Sequence, residues 1–414
     1  MPSRLFLALM ATLALLPVVS AATVKLALRS GASCNQCHFN PGGGGQRNAY
    51  GFEEVILRDL PRPADGREAV KFNTRLGPAV RWGGDIRIQA MRIDSLTVVV
   101  DLQGNPLSRG RRAAAVVFPM QAATYLHLQA TANLDVQLIY FLLQANAEFW
   151  IRYSSKFERA YVRAGRFLPA FGLRLDDHTS YTRGGNESRG RLPGFPLVKE
   201  GFPFGPYAHG NGSLEGGLYL GDLFVSGHLS TPSLGGPVAR GFAEMQAGLR
   251  AEWLHFFGPL TAMVVGSYLK EGKLQYRGLA AGWPWQSTAE SGLQLYSLAG
   301  GLQWQRLVAL AEVGWAEEWT RPLYDLDSPT PVSRAVMAEF DWQLAGGLQV
   351  FLRYDRFDHN LLATPAAGVL ERWILGAEFF PLPFIEIKPQ VRWDVSDLTE
   401  KPALNMLVQL HAFF

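Results

Sequence analysis

Cysteine is almost absent from this chain: there are two in 414 residues, and both fall within residues 33–38, which read SCNQCH. So few thiols cannot form the dense cross-linked framework of small secreted scaffolds. Long apolar runs are missing too. Beyond the first twenty-odd residues no segment approaches the roughly 20 apolar residues of a spanning helix, so a helical membrane protein is excluded. Charge is sparse, at 18% of residues with a net +3. Nothing in it suggests nucleic-acid binding, which draws its affinity from clustered Lys and Arg.

The amino terminus is the one strongly apolar stretch. MPSRLFLALMATLALLPVVSAA carries a single positive charge at Arg4, an apolar run from Leu5 to Val19, and small residues at Ser20, Ala21 and Ala22. That layout is a secretory signal peptide over residues 1–21, cleaved after Ala21 or Ala22. The run is too short and too neatly closed for a membrane anchor. The cysteine motif is therefore expected outside the cytoplasm.

In an exported chain Cys34 and Cys37 could simply pair with each other. A thioredoxin-like redox pair would sit in a βαβ pattern, which is not seen here. A zinc site would need further Cys or His ligands close by, and none lie near. His38 directly after the second cysteine favours a different chemistry, because C-x-x-C-H is the attachment signature of c-type haem. Two thiols reach two vinyl groups on one edge of a porphyrin while the next side chain folds under the ring. Cys34 and Cys37 would form the thioethers and His38 would be the proximal iron ligand of one covalent haem c. The following stretch, FNPGGGGQRNAYGFEEVILRDLP, suits a small wrapping module. Gly42–Gly45 let the backbone pass close to a flat ligand. Asn48 is placed to cap a short helix bearing Phe52, Val55 and Ile56, with Pro61 at its end. Residues 22–79 are too short for an independent cytochrome and are expected to act as a haem-carrying plug.

From residue 80 to 414 the pattern is all-β. Segments of about ten residues alternate polar and apolar between turn signals, the signature of an outer-membrane barrel. In FIEIKPQVRWD, Glu386, Lys388, Gln390, Arg392 and Asp394 oppose Ile387, Pro389, Val391 and Trp393. In GGDIRIQAM, Asp85, Arg87, Gln89 and Met91 oppose Ile86, Ile88 and Ala90. At the carboxyl end Met406, Val408, Leu410, Ala412 and Phe414 share one face. Strands are expected near 80–92, 113–130, 135–144, 146–154, 159–167, 214–221, 223–231 and 240–253. A second set is expected near 259–270, 291–302, 306–317, 334–344, 346–356, 370–380, 384–394 and 404–414. The total is about sixteen, an even number that returns both barrel ends to the periplasmic side. Trp253, Trp304, Trp315 and Trp393 near strand ends suit interfacial girdles. The lumen should carry Asp85, Arg87, Arg250, Glu252, Glu386, Lys388 and Arg392. The long external connection from Phe167 to Ser213 is the candidate constriction, where Arg174, Arg183, Arg189 and Arg191 would bias passage toward anions. Asp176, Asp177 and His178 form a weak candidate cation site there.

An export signal, one CxxCH in a short leading segment and a porin barrel filling the remainder resemble the fused monohaem cytochrome c–porins of bacterial outer membranes. The local likeness runs through Gly31, Cys34, Cys37, His38, Pro41, Asn48 and Gly51, while the GGGGQR stretch departs from the iron-oxidase members. The resemblance implies electrons received from an extracellular donor such as Fe(II) or a cytochrome. They would pass on to periplasmic c-type cytochromes or other carriers, with outer-membrane lipid around the barrel. An iron oxidase and a simple electron carrier both fit this.

For the sixth iron position, alternation selects two lumen histidines toward the periplasmic end. His411 lies with Gln409 and Asn405, and His127 with Tyr125 and Gln129. Closure of strand 16 against strand 1 would make them near neighbours. Met91 faces inward but higher, and His228 sits toward the outer end of its strand. His255 reads as interfacial, while His178, His209 and His359 fall in external loops. The competing function is a diffusive porin whose haem plug is structural or sensory; a peroxidase lacks identifiable distal acid–base residues.

Overall fold

In the computed structural model, residues 24–51, 74–100, 106–143, 146–155, 159–173, 177, 179–183, 201–202, 211–231, 245–273, 292–317, 332–358, 361, 369–382, 384–396 and 402–414 are described. The expected signal peptide and the helix body of residues 52–61 lie outside them, as do His178, His209 and His359.

Sixteen antiparallel strands close into one barrel, each paired with its sequence neighbours and β16 with β1. They are β1 Val80–Val100, β2 Pro106–Gln129, β3 Leu134–Phe141, β4 Asn146–Ser154, β5 Ala160–Phe167, β6 Asn211–Leu220, β7 Leu223–Ser230 and β8 Gln246–Phe257. The second half comprises β9 Leu260–Lys273, β10 Gly292–Trp304, β11 Leu307–Glu317, β12 Val332–Ala345, β13 Leu348–Asp358, β14 Val369–Leu382, β15 Ile385–Ser396 and β16 Ala403–Phe413. Each expected strand is present. The largest difference is at β1 and β2, which run to 21 and 24 residues. Their extension beyond the sheet is paired only within the hairpin, and that part of the sequence carries no periodic signal of burial to read.

The barrel is inverted relative to a soluble core. On β16, Asn405, Gln409 and His411 are buried inside while Met406, Val408 and Leu410 are exposed outside. All the expected lumen charges lie on the inner face; Arg87, Arg250, Glu252 and Arg392 are at most 4% exposed. An apolar exterior with every backbone group paired around a closed ring is what a hydrocarbon layer demands. Aromatic residues bound this exterior. Trp304 and Trp342 lie beside the two-residue turns, and Tyr296, Tyr354 and Trp373 lie toward the other end. Tyr296 and Trp304 are eight positions apart on β10, which at ~3.4 Å per residue and ~40° tilt is about 21 Å of height, close to the usual apolar band. Tight turns such as that at Gly347 (φ 63°) use a backbone region open to glycine, whose twist matches the strands. In barrels of this kind, short turns mark the periplasmic end.

Segments of the chain itself enter the lumen. A helix α1, Val24–Ser30, lies inside it with Val24, Lys25, Leu26, Ala27 and Leu28 buried. It packs on an apolar patch of the inner wall formed by Leu254, Met263, Val265, Val308, Leu310 and Met337. Gly301 is what lets it approach: a β-carbon there would stand 2.6 Å from Leu28 Cδ1. From the opposite end the connection after β5 enters as well. Gly172 N donates to Ser267 Oγ (2.9 Å), Ser180 Oγ to Asp355 (3.0 Å) and Arg372 to the Thr179 carbonyl (2.8 Å). Phe171, Tyr181 and Phe202 pack on Leu269, Leu295 and Phe357. The expected constriction therefore forms. Its Arg183, however, is not offered to passing anions. Both oxygens of Glu312 accept from its guanidinium at 2.8 Å, so the charge is spent within the wall. Arg174, Arg189 and Arg191 lie outside the described residues.

Candidate functional site

The motif begins at the end of α1. Gly31, in the left-handed region at φ 64°, turns the chain against Phe256 at the periplasmic end of β8. A single helical turn, α2 Cys34–Cys37, follows. Its first N–H groups are served locally: Ser33 N donates to Gln36 Oε1 (3.0 Å), and the turn closes by His38 N to the Cys34 carbonyl (3.0 Å). His38 is extended (φ −123°, ψ 150°) and bridges Arg47. Residues 38–47 thus form a closed loop whose far end is turned by Gly43, Gly44 and Gly45, all at positive φ. Such a triple turn explains the run of glycines.

Asn48 ties the loop back to the motif. Its N–H donates to the Cys37 carbonyl (2.9 Å), its Nδ2 to the Gln36 carbonyl (2.9 Å), and its Oδ1 accepts from Gly51 N (2.9 Å). The last contact is the expected cap, seen over the described first turn. Gly51 has no alternative there, since a β-carbon would lie 2.2 Å from the Cys37 carbonyl oxygen. The spacing from Cys37 to Asn48 and Gly51 thus has a geometric cause within this chain.

The segment is built into the inner wall at many points. Arg163 on β5 donates to Asn40 Oδ1 (2.9 Å), Gln137 on β3 to Gln46 Oε1 (3.0 Å), and Arg47 stands over the Phe413 ring at 4.4 Å. Phe39 stacks on His127 with ring centroids 3.5 Å apart. Beside them is a cavity of about 570 Å³ bordered by Gln36, Phe39, Asn48, Tyr50, His127 and Asp135. Cys34 and Cys37 are half-buried thiols. Cys34 lies within electrostatic reach of Tyr219 on β6 and Arg250 on β8. On that same wall the Tyr219 hydroxyl and His228 Nε2 are buried and make no hydrogen bond. Orphaned polar atoms cost about 1–3 kcal/mol each. Two of them on the wall that Cys34 approaches are what a site receiving a further group would hold.

Lys25 anchors the plug. Its ammonium is 2.6 Å from Asp341, 2.7 Å from Glu339 and 3.1 Å from Glu378. Burial alone would lower the lysine pKa, but the three carboxylates outweigh it and hold it above the ordinary range. Glu339 also pairs with Arg353, which binds Asp177 of the constriction at 2.6 Å. An ion-pair chain therefore joins the two segments that enter from opposite ends. Asp177 is a counter-ion to Arg353; Asp176 and His178, its partners in the expected cation site, lie outside the described residues, among which no cluster of three metal-ligating side chains occurs.

The two expected distal histidines are both buried in the lumen, but not side by side. His411 faces Arg87, which faces Gln121, whereas His127 faces Arg81. Six positions along β2 separate the two levels, about 20 Å at ~3.4 Å per residue. Adjacent strands are staggered by the barrel's shear, which strand order alone does not reveal. His411 sits between Glu386 (2.9 Å) and Asp85 (3.1 Å), and His127 Nε2 is 3.6 Å from Asp135. Met91 lies on the inner face. His255 is outward beside Trp253, paired with Asp222, as an interfacial residue.

Lys25 and its three carboxylates carry no sequence motif. A signal was nevertheless present: β9 reads LTAMVVGSYL, apolar on both faces through Met263, Val264 and Val265. A porin strand of that kind needs a cover on its lumen side.

No family model and no curated protein matches this sequence. Solved structures with this fold include OprB of Pseudomonas putida, at TM-score 0.54 and 10% identity over 81% of this chain and 94% of that one. A loop L8 deletion mutant of the outer membrane protein OmpT of Vibrio cholerae gives 0.51 and 12% over 81% and 99%. OmpT of Vibrio cholerae expressed in the outer membrane gives 0.50 and 11% over 84% and 100%. At such identities the likeness is one of fold: the chain is built as a porin-type outer-membrane barrel, with segments of its own entering the lumen.

Proposed function

We propose that this chain is an outer-membrane electron-transfer protein whose plug attaches one haem c. Cys34 and Cys37 would bind it covalently, and His38 would be its proximal ligand. A haem held there supplies one-electron exchange between ferric and ferrous iron. The protein would move electrons between an extracellular partner, Fe(II) or a cytochrome among them, and periplasmic c-type cytochromes or other carriers. The observation that carries this reading is the seating of CxxCH inside the barrel, on a segment locked to the wall at Lys25, Asn40, Gln46 and Arg47. A flexible leader would need none of those contacts. Two lumen segments in contact also leave little reason for free solute passage. The barrel's ~30 Å span then requires the extracellular donor to enter the lumen from above or a second carrier to dock there.

The second reading is a diffusive outer-membrane porin with a structural or sensory plug. It is favoured by the charged inner wall and by the porin fold of the solved neighbours, which electron transfer does not need. Intact cells separate the two. An impermeant extracellular reductant should reduce a c-type band in cells with the native chain and leave cells with Cys34→Ala unchanged. A chain that carries haem, stays oxidised and passes small sugars into liposomes is a porin, and the electron-transfer reading is then wrong.

A further inference from the structure

We propose that Arg163 is the positioning residue of the haem segment: it fixes the loop that follows His38 and, with Glu215, balances the charge beside that loop. The inference rests on the haem reading above. Asn40 stands two residues past His38 and is the node of the loop's first turn. Its Oδ1 accepts from Gly42 N (3.2 Å) and its carbonyl from Gly43 N (2.8 Å). The same Oδ1 accepts from Arg163 Nη1 at 2.9 Å. The course of the chain after His38 is therefore tied to the place where Arg163 stands.

That place is fixed. Glu215, directly opposite on β6, accepts from Arg163 Nε at 2.8 Å and from Nη2 at 2.9 Å. Such two-point pairing needs the planar fork of a guanidinium. The Phe167 ring centre lies 3.9 Å from Arg163 Cζ and that of Trp150 5.4 Å. Tyr161 holds Glu215 in turn, its hydroxyl donating at 2.7 Å. A pair serving only to join β5 to β6 would be complete at this point. Instead the third guanidinium nitrogen reaches across to the plug. The loop's other wall bond, from Gln137 to Gln46, joins two neutral amides. Arg163 and Glu215 are at most 2% exposed, so water screens neither, and their charges cancel only while both are present. Without the cation, Glu215 would favour ferric iron, which is one charge more positive than ferrous. Without the carboxylate, Arg163 would favour the ferrous form.

Two readouts separate the bond from the charge. The first uses the full-length chain made without haem-maturation machinery and kept reduced. Asn40→Ala should quicken alkylation of Cys37 about ten- to a hundredfold, the factor that loss of a hydrogen bond to a charged group allows. The second is the midpoint potential of the holoprotein in detergent. Arg163→Gln should lower it, Glu215→Gln should raise it, and the double variant should return it toward the native value. Mere loosening of the plug would move both single variants the same way. Cold gel electrophoresis identifies the folded barrels; if one single variant does not fold, the other and Asn40→Ala decide. Unchanged alkylation in Asn40→Ala, or single variants whose potentials stay put or shift together, overturns the assignment. A native chain with no covalent haem sinks the haem reading instead, while the alkylation rates still test the seating of the loop.

Discussion

Lys25 shows what one side chain does in a membrane lumen. Removing a partner from a buried ion pair costs about 3–5 kcal/mol, and Lys25→Met would leave Glu339, Asp341 and Glu378 facing one another. That shifts the docked-to-undocked ratio of α1 by about 10²–10³-fold. Planar-bilayer recordings should show stepwise openings in Lys25→Met and a quiet native barrel; a quiet variant would mean that the apolar patch alone holds the helix. A raised lysine pKa contributes stability that is complete below the unfolded value of ~10.4 and is lost only as pH rises through the folded value. Lys25 therefore stays charged from about pH 6 to about pH 9. Arg183 acts alike on the constriction. Arg183→Ala would strand Glu312 without its cation, and external protease should then cleave the connection after β5 faster in intact cells.

Among the elements, the seam between β1 and β16 decides whether the sheet becomes a barrel. Gly84 and Phe414 exchange backbone hydrogen bonds at 3.0 Å, and the Phe414 ring sits edge-on to Trp82. At Gly83 an added β-carbon would lie 2.5 Å from the Phe414 carbonyl oxygen, a contact with backbone that cannot swing aside. Gly83→Ala should lower the fraction of heat-modifiable, folded barrel on cold gel electrophoresis, and an unchanged fraction would show that the seam tolerates the shift. The strands themselves were legible because each has one face in lipid and one on a polar lumen, which imposes a period of two. Where that contrast vanishes, as in the free-standing extension of β1 and β2, the boundaries were missed. The cap at Asn48 was also legible, since Cys37, Asn48 and Gly51 contact one another within a short span of chain.

At the scale of the molecule, the barrel and its plug are separable in energy. Each strand is paired on both sides around the ring, so no ladder bond depends on residues 24–51. A chain lacking those residues should still migrate as a folded, heat-modifiable barrel and should conduct in bilayers, about as an open porin of this strand number does. Loss of folding on that deletion would instead make the plug part of the fold, with the apolar patch of Met263, Val265 and Leu310 as its reason.

Local chemistry was enough for the strand number, the outward and inward faces and the cap at Asn48. Each of these follows from neighbours in the chain or from a period of two. Tertiary structure decided that α1 lies inside the barrel, that Arg183 is neutralised by Glu312, and that Lys25 connects to Asp177 through Glu339 and Arg353. It also decided that His127 and His411 lie at levels about 20 Å apart along the strands. Those relations depend on the stagger of strands around a closed ring and on charges brought together from more than 300 positions apart, and neither quantity is expressed in any short stretch of sequence.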